Sequence, residues 1–123
     1  MCQFTARSVA AVDVSDLAVF AVIVAENQDG SGCRIEIQRS HSFSEEDRRL
    51  GQDTYCVSTA AGASCYGCVS SWCLKGDVLE IHLDGKAARC LGVAGGFLVR
   101  LEASEEELQT LREGLLRVLS EYV

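Results

Sequence analysis

Seven cysteines and two histidines are the residues in this chain best suited to chemistry. Cys65 and Cys68 stand at C-x2-C spacing with Cys73 close behind, and two thiolates offered from one tight turn are half of a zinc site. No second C-x2-C and no histidine pair follows. If residues 65–74 form one strand, positions 65 and 68 point to opposite faces while 65 and 73 share one, so the three thiols do not converge. The expectation is small thiols packed like alanine or valine, with no metal and no cofactor. A cysteine nucleophile also needs a base within hydrogen-bond reach. His82 falls on the solvent side of an alternating strand, His41 precedes a short acidic helix, and no spacing ties either ring to a thiol. Glu45, Glu46 and Asp47 offer neighbouring carboxylates, but three acids in the first turn of a helix are accounted for by its dipole. Gly92-Val93-Ala94-Gly95-Gly96 lacks the lysine and the preceding strand of a phosphate loop and reads as a turn. No catalytic residue is predicted.

The elements that must position these residues are punctuated without proline, which the chain lacks. Residues 4–14 alternate loosely as a first strand, and Leu17-Ala18-Val19-Phe20-Ala21-Val22-Ile23-Val24 is a continuous apolar run suited to a central second strand. Asn27-Gln28-Asp29-Gly30-Ser31-Gly32 is a hairpin turn into Cys33-Arg34-Ile35-Glu36-Ile37-Gln38-Arg39, which alternates strictly as a half-exposed third strand. Ser44 caps a short helix with acids in its first turn, Arg48 and Arg49 in its last, and Gly51 as its stop. Two strands, 54–59 and 65–74, are joined through Ala61-Gly62-Ala63. After the Lys75-Gly76-Asp77 turn comes the strand 78–83, then a second short helix from the Asp84 cap to Gly92, then a last strand over 97–101.

The final helix carries the strongest signal. Ser104 and Glu107 form a capping box, and Leu108, Leu111, Leu115, Val118, Leu119 and Tyr122 recur at helical spacing as one apolar face. Burying such side chains stabilises by roughly 1.5–3 kcal/mol each before entropy is counted, far more than local propensity supplies, so the helix must pack on the sheet. The predicted fold class is α+β: a mainly antiparallel β-sheet packed against a C-terminal amphipathic helix, with two short helices.

At 123 residues and 48% apolar composition, the chain suits a single domain over 1–123 with one core. Its formal charge of -7, from 18 acidic and 11 basic residues, repels nucleic acid and anionic membrane surfaces and suits a basic protein partner. Seven is an odd number of cysteines, and the N-terminal residues have no signal-peptide pattern, so reduced thiols and a cytoplasmic location are expected. The apolar run near residue 20 is too short to cross a bilayer.

Residues 38–55 lack a plain structural explanation, because they set Arg39, Phe43, Glu46, Asp47, Arg48 and Asp53 in a loop, helix and loop between two strands. A mixed charged and aromatic insertion of this kind suits a binding surface.

The run Gln38-Arg39, then Phe43-x-Glu45-Glu46-Asp47-x-x-Leu50-Gly51-x-Asp53-Thr54-Tyr55-Cys56, followed by Tyr66-Gly67-Cys68-Val69, resembles the immunity protein 10 family of bacterial polymorphic-toxin antidotes. The similarity extends to the Leu91-Gly92 turn and to Leu111-Arg112-Glu113-Gly114-Leu115, while Cys65, Cys68 and Cys73 look peculiar to this chain. What the resemblance implies is a non-catalytic cytoplasmic immunity protein that binds a cognate toxin with a basic surface. Phe43 and Tyr55 serve as aromatic anchors, Glu45, Glu46, Asp47 and Asp53 steer the encounter, and Arg39 and Tyr66 complete the surface. The alternative roles for these residues are core aromatics and helix caps. Rival functions are a small thiol- or metal-dependent enzyme and a homo-oligomeric structural domain.

Overall fold

The computed structural model describes residues 1–119. Its element order is β1 (Cys2–Ala6), β2 (Ser8–Val14), β3 (Val19–Ala25), β4 (Arg34–Ser40), α1 (Glu45–Arg49), β5 (Cys56–Thr59), β6 (Ser64–Tyr66), β7 (Val69–Lys75), β8 (Val78–Leu83), α2 (Gly85–Leu91), β9 (Gly96–Leu101) and α3 (Glu105–Val118). The fold is α+β, as the order of elements predicts. Instead of one sheet there are two, ordered β1-β9-β8-β7 and β2-β3-β4-β5-β6. All pairings are antiparallel except β1 with β9.

Two expected strands are broken at the corners where the chain passes between sheets. Residues 4–14 divide at Arg7, whose N–H turns to the carbonyls of Ala25 and Glu26 at 3.0 and 3.2 Å. Cys2, Phe4 and Ala6 on β1 share a face by register with Phe97, Val99 and Leu101, whereas on β2 Val9 and Ala11 stand opposite Val24 and Val22. The inward side thus changes from even to odd positions across the corner, and that slip is the loose alternation seen in the sequence. Residues 65–74 divide at Gly67, in the left-handed region at φ +61° and with its Cβ position 3.2 Å from Thr54 Cγ2. Beyond it a bulge between Val69 and Ser71 shifts the phase again, so Trp72 and Leu74 face inward opposite Ile81 and Leu79.

The run at 17–24 also starts later than expected. Leu17 ends a single 3₁₀ turn, 70% exposed, and Ala18 takes φ 52° before β3 begins. As expected, β3 lies inside its sheet, paired with β2 and β4.

One core serves both sheets: Val22, Val24, Ile35, Ile37 and Val57 from one, Leu79, Ile81, Phe97, Val99 and Leu101 from the other. Leu111, Leu115 and Val118 of α3 complete it, all fully buried. The helix packs on β2, β3 and β4, with Leu108 and Leu119 at the margins of its apolar face; Tyr122, assigned to the same face, lies outside the described residues. Gly114 is also buried, facing Ala11 of β2 and Val22 of β3 at close range. Ser104 forms the expected capping box, its hydroxyl accepting from Glu107 N at 3.1 Å while its own N–H donates to Glu107 Oε1 at 2.9 Å. Asp84 caps α2, and Gly92 ends it in the left-handed conformation.

Candidate functional site

The connection between β4 and β5 is built around α1. Ser44 N donates to Asp47 Oδ2 at 2.8 Å and Asp47 N donates to Ser44 Oγ at 3.0 Å, a reciprocal box that fixes the first turn. Gly51, at φ +72°, ends the helix. The helix buries none of its residues. Glu45, Glu46 and Asp53 are exposed, Asp47 and Phe43 are half-buried, and Leu50 beside the helix is 56% exposed.

The eight residues assigned to the surface do not form one patch. Tyr66 pairs with Cys56, on the side of its sheet opposite the Val57–Cys65 pair that faces the core. Its phenol is pushed above the ordinary value first by burial, then by Cys56 and by the negative charge of Asp47. Arg39 belongs to the other side of the sheet, opposite Phe20, with Nη1 donating to the Val118 carbonyl at 3.0 Å.

Tyr55 does not fit the anchor role. Only 2% exposed, its ring belongs to the core, and its hydroxyl accepts from Val69 N at 2.9 Å and donates to Val69 O at 3.3 Å. Those bonds join β7, in one sheet, to the start of β5 in the other. A ring so enclosed offers a partner no surface.

A second grouping escaped the linear pattern. His41 N donates to Ala18 O at 2.8 Å, its Nε2 lies 2.8 Å from Asp13 Oδ1, and the Arg117 guanidinium sits 4.1 Å above the centroid of Phe20. Together with Arg39 and Ser40, three of these residues (Phe20, His41 and Arg117) line a cavity of about 210 Å³. Its residues come from β3, β4, the following loop and the last turn of α3. Their only sequence signal is Arg39-Ser40-His41 beside the insertion.

The thiols are arranged differently from the expectation. Cys65 and Cys68 do not diverge onto opposite faces, because the corner at Gly67 turns both into the same core. Burial pushes the Cys65 thiol up to about 12, with Cys90 and Cys68 as hydrogen-bonding neighbours, and burial raises Cys68 as well. A thiol held in its protonated form is a poor nucleophile and a poor metal ligand. Cys73 lies in β7 of the other sheet, opposite Glu80 on the side away from the core. His82 is close to half exposed, 3.5 Å from Glu80. Among the described residues, no three histidine, cysteine, aspartate or glutamate side chains are placed to hold a metal ion.

An exposed acidic helix on a two-sheet α+β scaffold defines a candidate binding module. The family model described as Immunity protein 10 matches residues 5–109, most of the chain, and the protein belongs to that family. Membership implies a toxin partner in general. The matched stretch ends within α3 and does not include Leu111–Leu115. Neither a search of curated proteins nor one of solved structures finds a match.

Proposed function

We propose that this protein is a non-catalytic antidote that acts in the cytoplasm by binding a cognate toxin, with the surface around α1 as its contact. The observation that carries this reading, beyond family membership, is that α1 adds nothing to the core yet is fixed by a reciprocal cap. Glu45 and Glu46 are exposed at its start, on a chain of net charge -7. Such a field favours a basic toxin surface and raises the encounter rate. Phe43 supplies the aromatic contact, Glu45, Glu46, Asp47 and Asp53 the charge, and Tyr66 the neighbouring ring. The thiol-enzyme alternative is opposed by the burial of Cys65 and Cys68.

Co-expression with the toxin domain encoded beside this gene tests the role, with rescue of growth as the expected result. Reversing Glu45 and Glu46 to lysine should lower the association rate about tenfold at low salt and flatten its salt dependence, while leaving the melting temperature nearly unchanged. Failure of the wild-type protein to rescue overturns the antidote reading. Rescue with unaltered kinetics for the reversed variant removes α1 from the interface.

A further inference from the structure

We infer that the cavity lined by Phe20, Arg39, Ser40, His41 and Arg117 receives a carboxylate, supplied by an aspartate or glutamate side chain of the toxin; this rests on the antidote reading. On a chain of net charge -7, two arginines and a histidine from separate elements meet at one end of the sheet. Fixed neighbours hold them there. Arg117 holds its guanidinium carbon 4.1 Å from the centroid of the Phe20 ring, a cation–π contact that keeps the side chain beside the cavity. Arg39 donates one N–H to the carbonyl of Val118, one residue from Arg117, so the last turn of α3 and the end of β4 are tied together. The backbone of His41 is pinned to Ala18.

Asp13, opposite Phe20 on β2, places its carboxylate on the imidazole of His41 at 2.8 Å. Among the described residues Arg117 makes no ion pair. A planar fork of donors over an aromatic floor matches the two coplanar oxygens of a carboxylate, and arginine is enriched among residues that dominate interface affinity. The volume, about 210 Å³, falls below the roughly 300 Å³ where small-molecule sites begin, and so suits one inserted side chain better than a free ligand. Position supports a protein source as well. Ser40 ends β4 and His41 opens the connection that leads into α1, so a partner that approaches α1 along the end of the sheet, instead of over the Tyr66 side, meets this cavity as well. A basic surface meeting α1 and an acid meeting Arg117 would together fix the register of the complex.

The test measures affinity of the full chain for the adjacent-gene toxin domain, by calorimetry, for the wild type, Arg117→Ala and Arg117→Lys. Arg117→Ala should weaken binding about 30-fold, and Arg117→Lys should restore only part of it, because a point charge lacks the fork. Circular dichroism confirms that each variant is folded, and the lysine variant keeps the comparison open if the alanine variant is not. Binding by the wild type with both variants within twofold of it overturns the inference and leaves the antidote reading standing. No binding by the wild type overturns that reading and this inference with it. The chain's own Glu121 offers the same chemistry, and Arg117→Ala and Glu121→Gln are compared for that reason. Equal and non-additive losses of melting temperature in the free protein would assign the cavity to the C-terminal residues and also overturn the inference.

Discussion

Replacing Gly114 by alanine sets two well-calibrated effects against each other. Gly114 lies inside α3, where alanine is favoured over glycine by about 1 kcal/mol. Against this, a Cβ on Gly114 would stand 2.9 Å from Ala11 Cβ and 2.9 Å from Val22 Cγ2. Carbon atoms pack best at about 3.5–4.0 Å, so both contacts are roughly 0.6 Å too short. Ala11 has no rotamer to change, and Val22 is 1% exposed in an interior strand with one favoured rotamer. The relief must come from lifting α3, which loosens Leu111, Leu115 and Val118, all 0% exposed. Overpacking of this kind costs about 1–3 kcal/mol. After the helix gain is subtracted, a net loss of about 1 kcal/mol is expected, with a melting temperature lower by about 4 °C. Gly114→Val should lose at least twice as much.

Urea unfolding of the wild type, Gly114→Ala and Thr110→Ala measures this. Thr110 is exposed on the same helix, so its replacement should stabilise by about 0.5 kcal/mol through propensity alone. If Gly114→Ala also stabilises, by the full 1 kcal/mol or so, α3 does not approach the sheet as described. The role of Gly114 as a point of close helix–sheet contact is then refuted.

Three further predictions concern the corners and the thiols. Tyr55→Phe removes the hydroxyl that bonds both polar groups of the partly buried Val69 and should cost about 1 kcal/mol in denaturant unfolding while leaving toxin affinity nearly unchanged; a large loss of affinity at intact stability would return Tyr55 to the interface. For the thiols, iodoacetamide at pH 8 should modify the exposed Cys90 first, Cys33 more slowly because burial and then Cys2 and Glu26 raise its thiol, and spare the buried Cys56, Cys65 and Cys68, as read by peptide mapping. The Cys65 proton is held to about 12 in the folded chain but released near its ordinary value of 9.0 in the unfolded one. Its contribution to stability is therefore fully present below 9.0 and is lost as pH rises towards about 12. Cys65→Ala should flatten the fall of stability across that window, and an unchanged slope would show that Cys65 does not titrate differently in the two states.

Local signals in the sequence carried the helices and the strict strands. Ser44 with Asp47, and Ser104 with Glu107, form caps by bonds that span three residues, so the positions can be read directly. The alternation of Cys33 to Arg39 and of Val78 to Leu83 likewise needs only neighbours in the chain to reveal a two-sided strand. The exposed acids of α1 were legible for the same reason. Division into two sheets was not, because a corner such as Arg7 or Gly67 leaves only a one-residue slip in phase, and what makes it a corner is a bond to Ala25 or Tyr55 far away. Tyr55 shows the limit most clearly, since a tyrosine beside an acidic loop suits either a surface anchor or a core ring. Its bonds to Val69 across the two sheets decided for the core. The cavity that joins Phe20, Arg39 and Arg117 was likewise decided by tertiary structure alone, because cation, ring and carbonyl meet only once α3 has closed over β3 and β4.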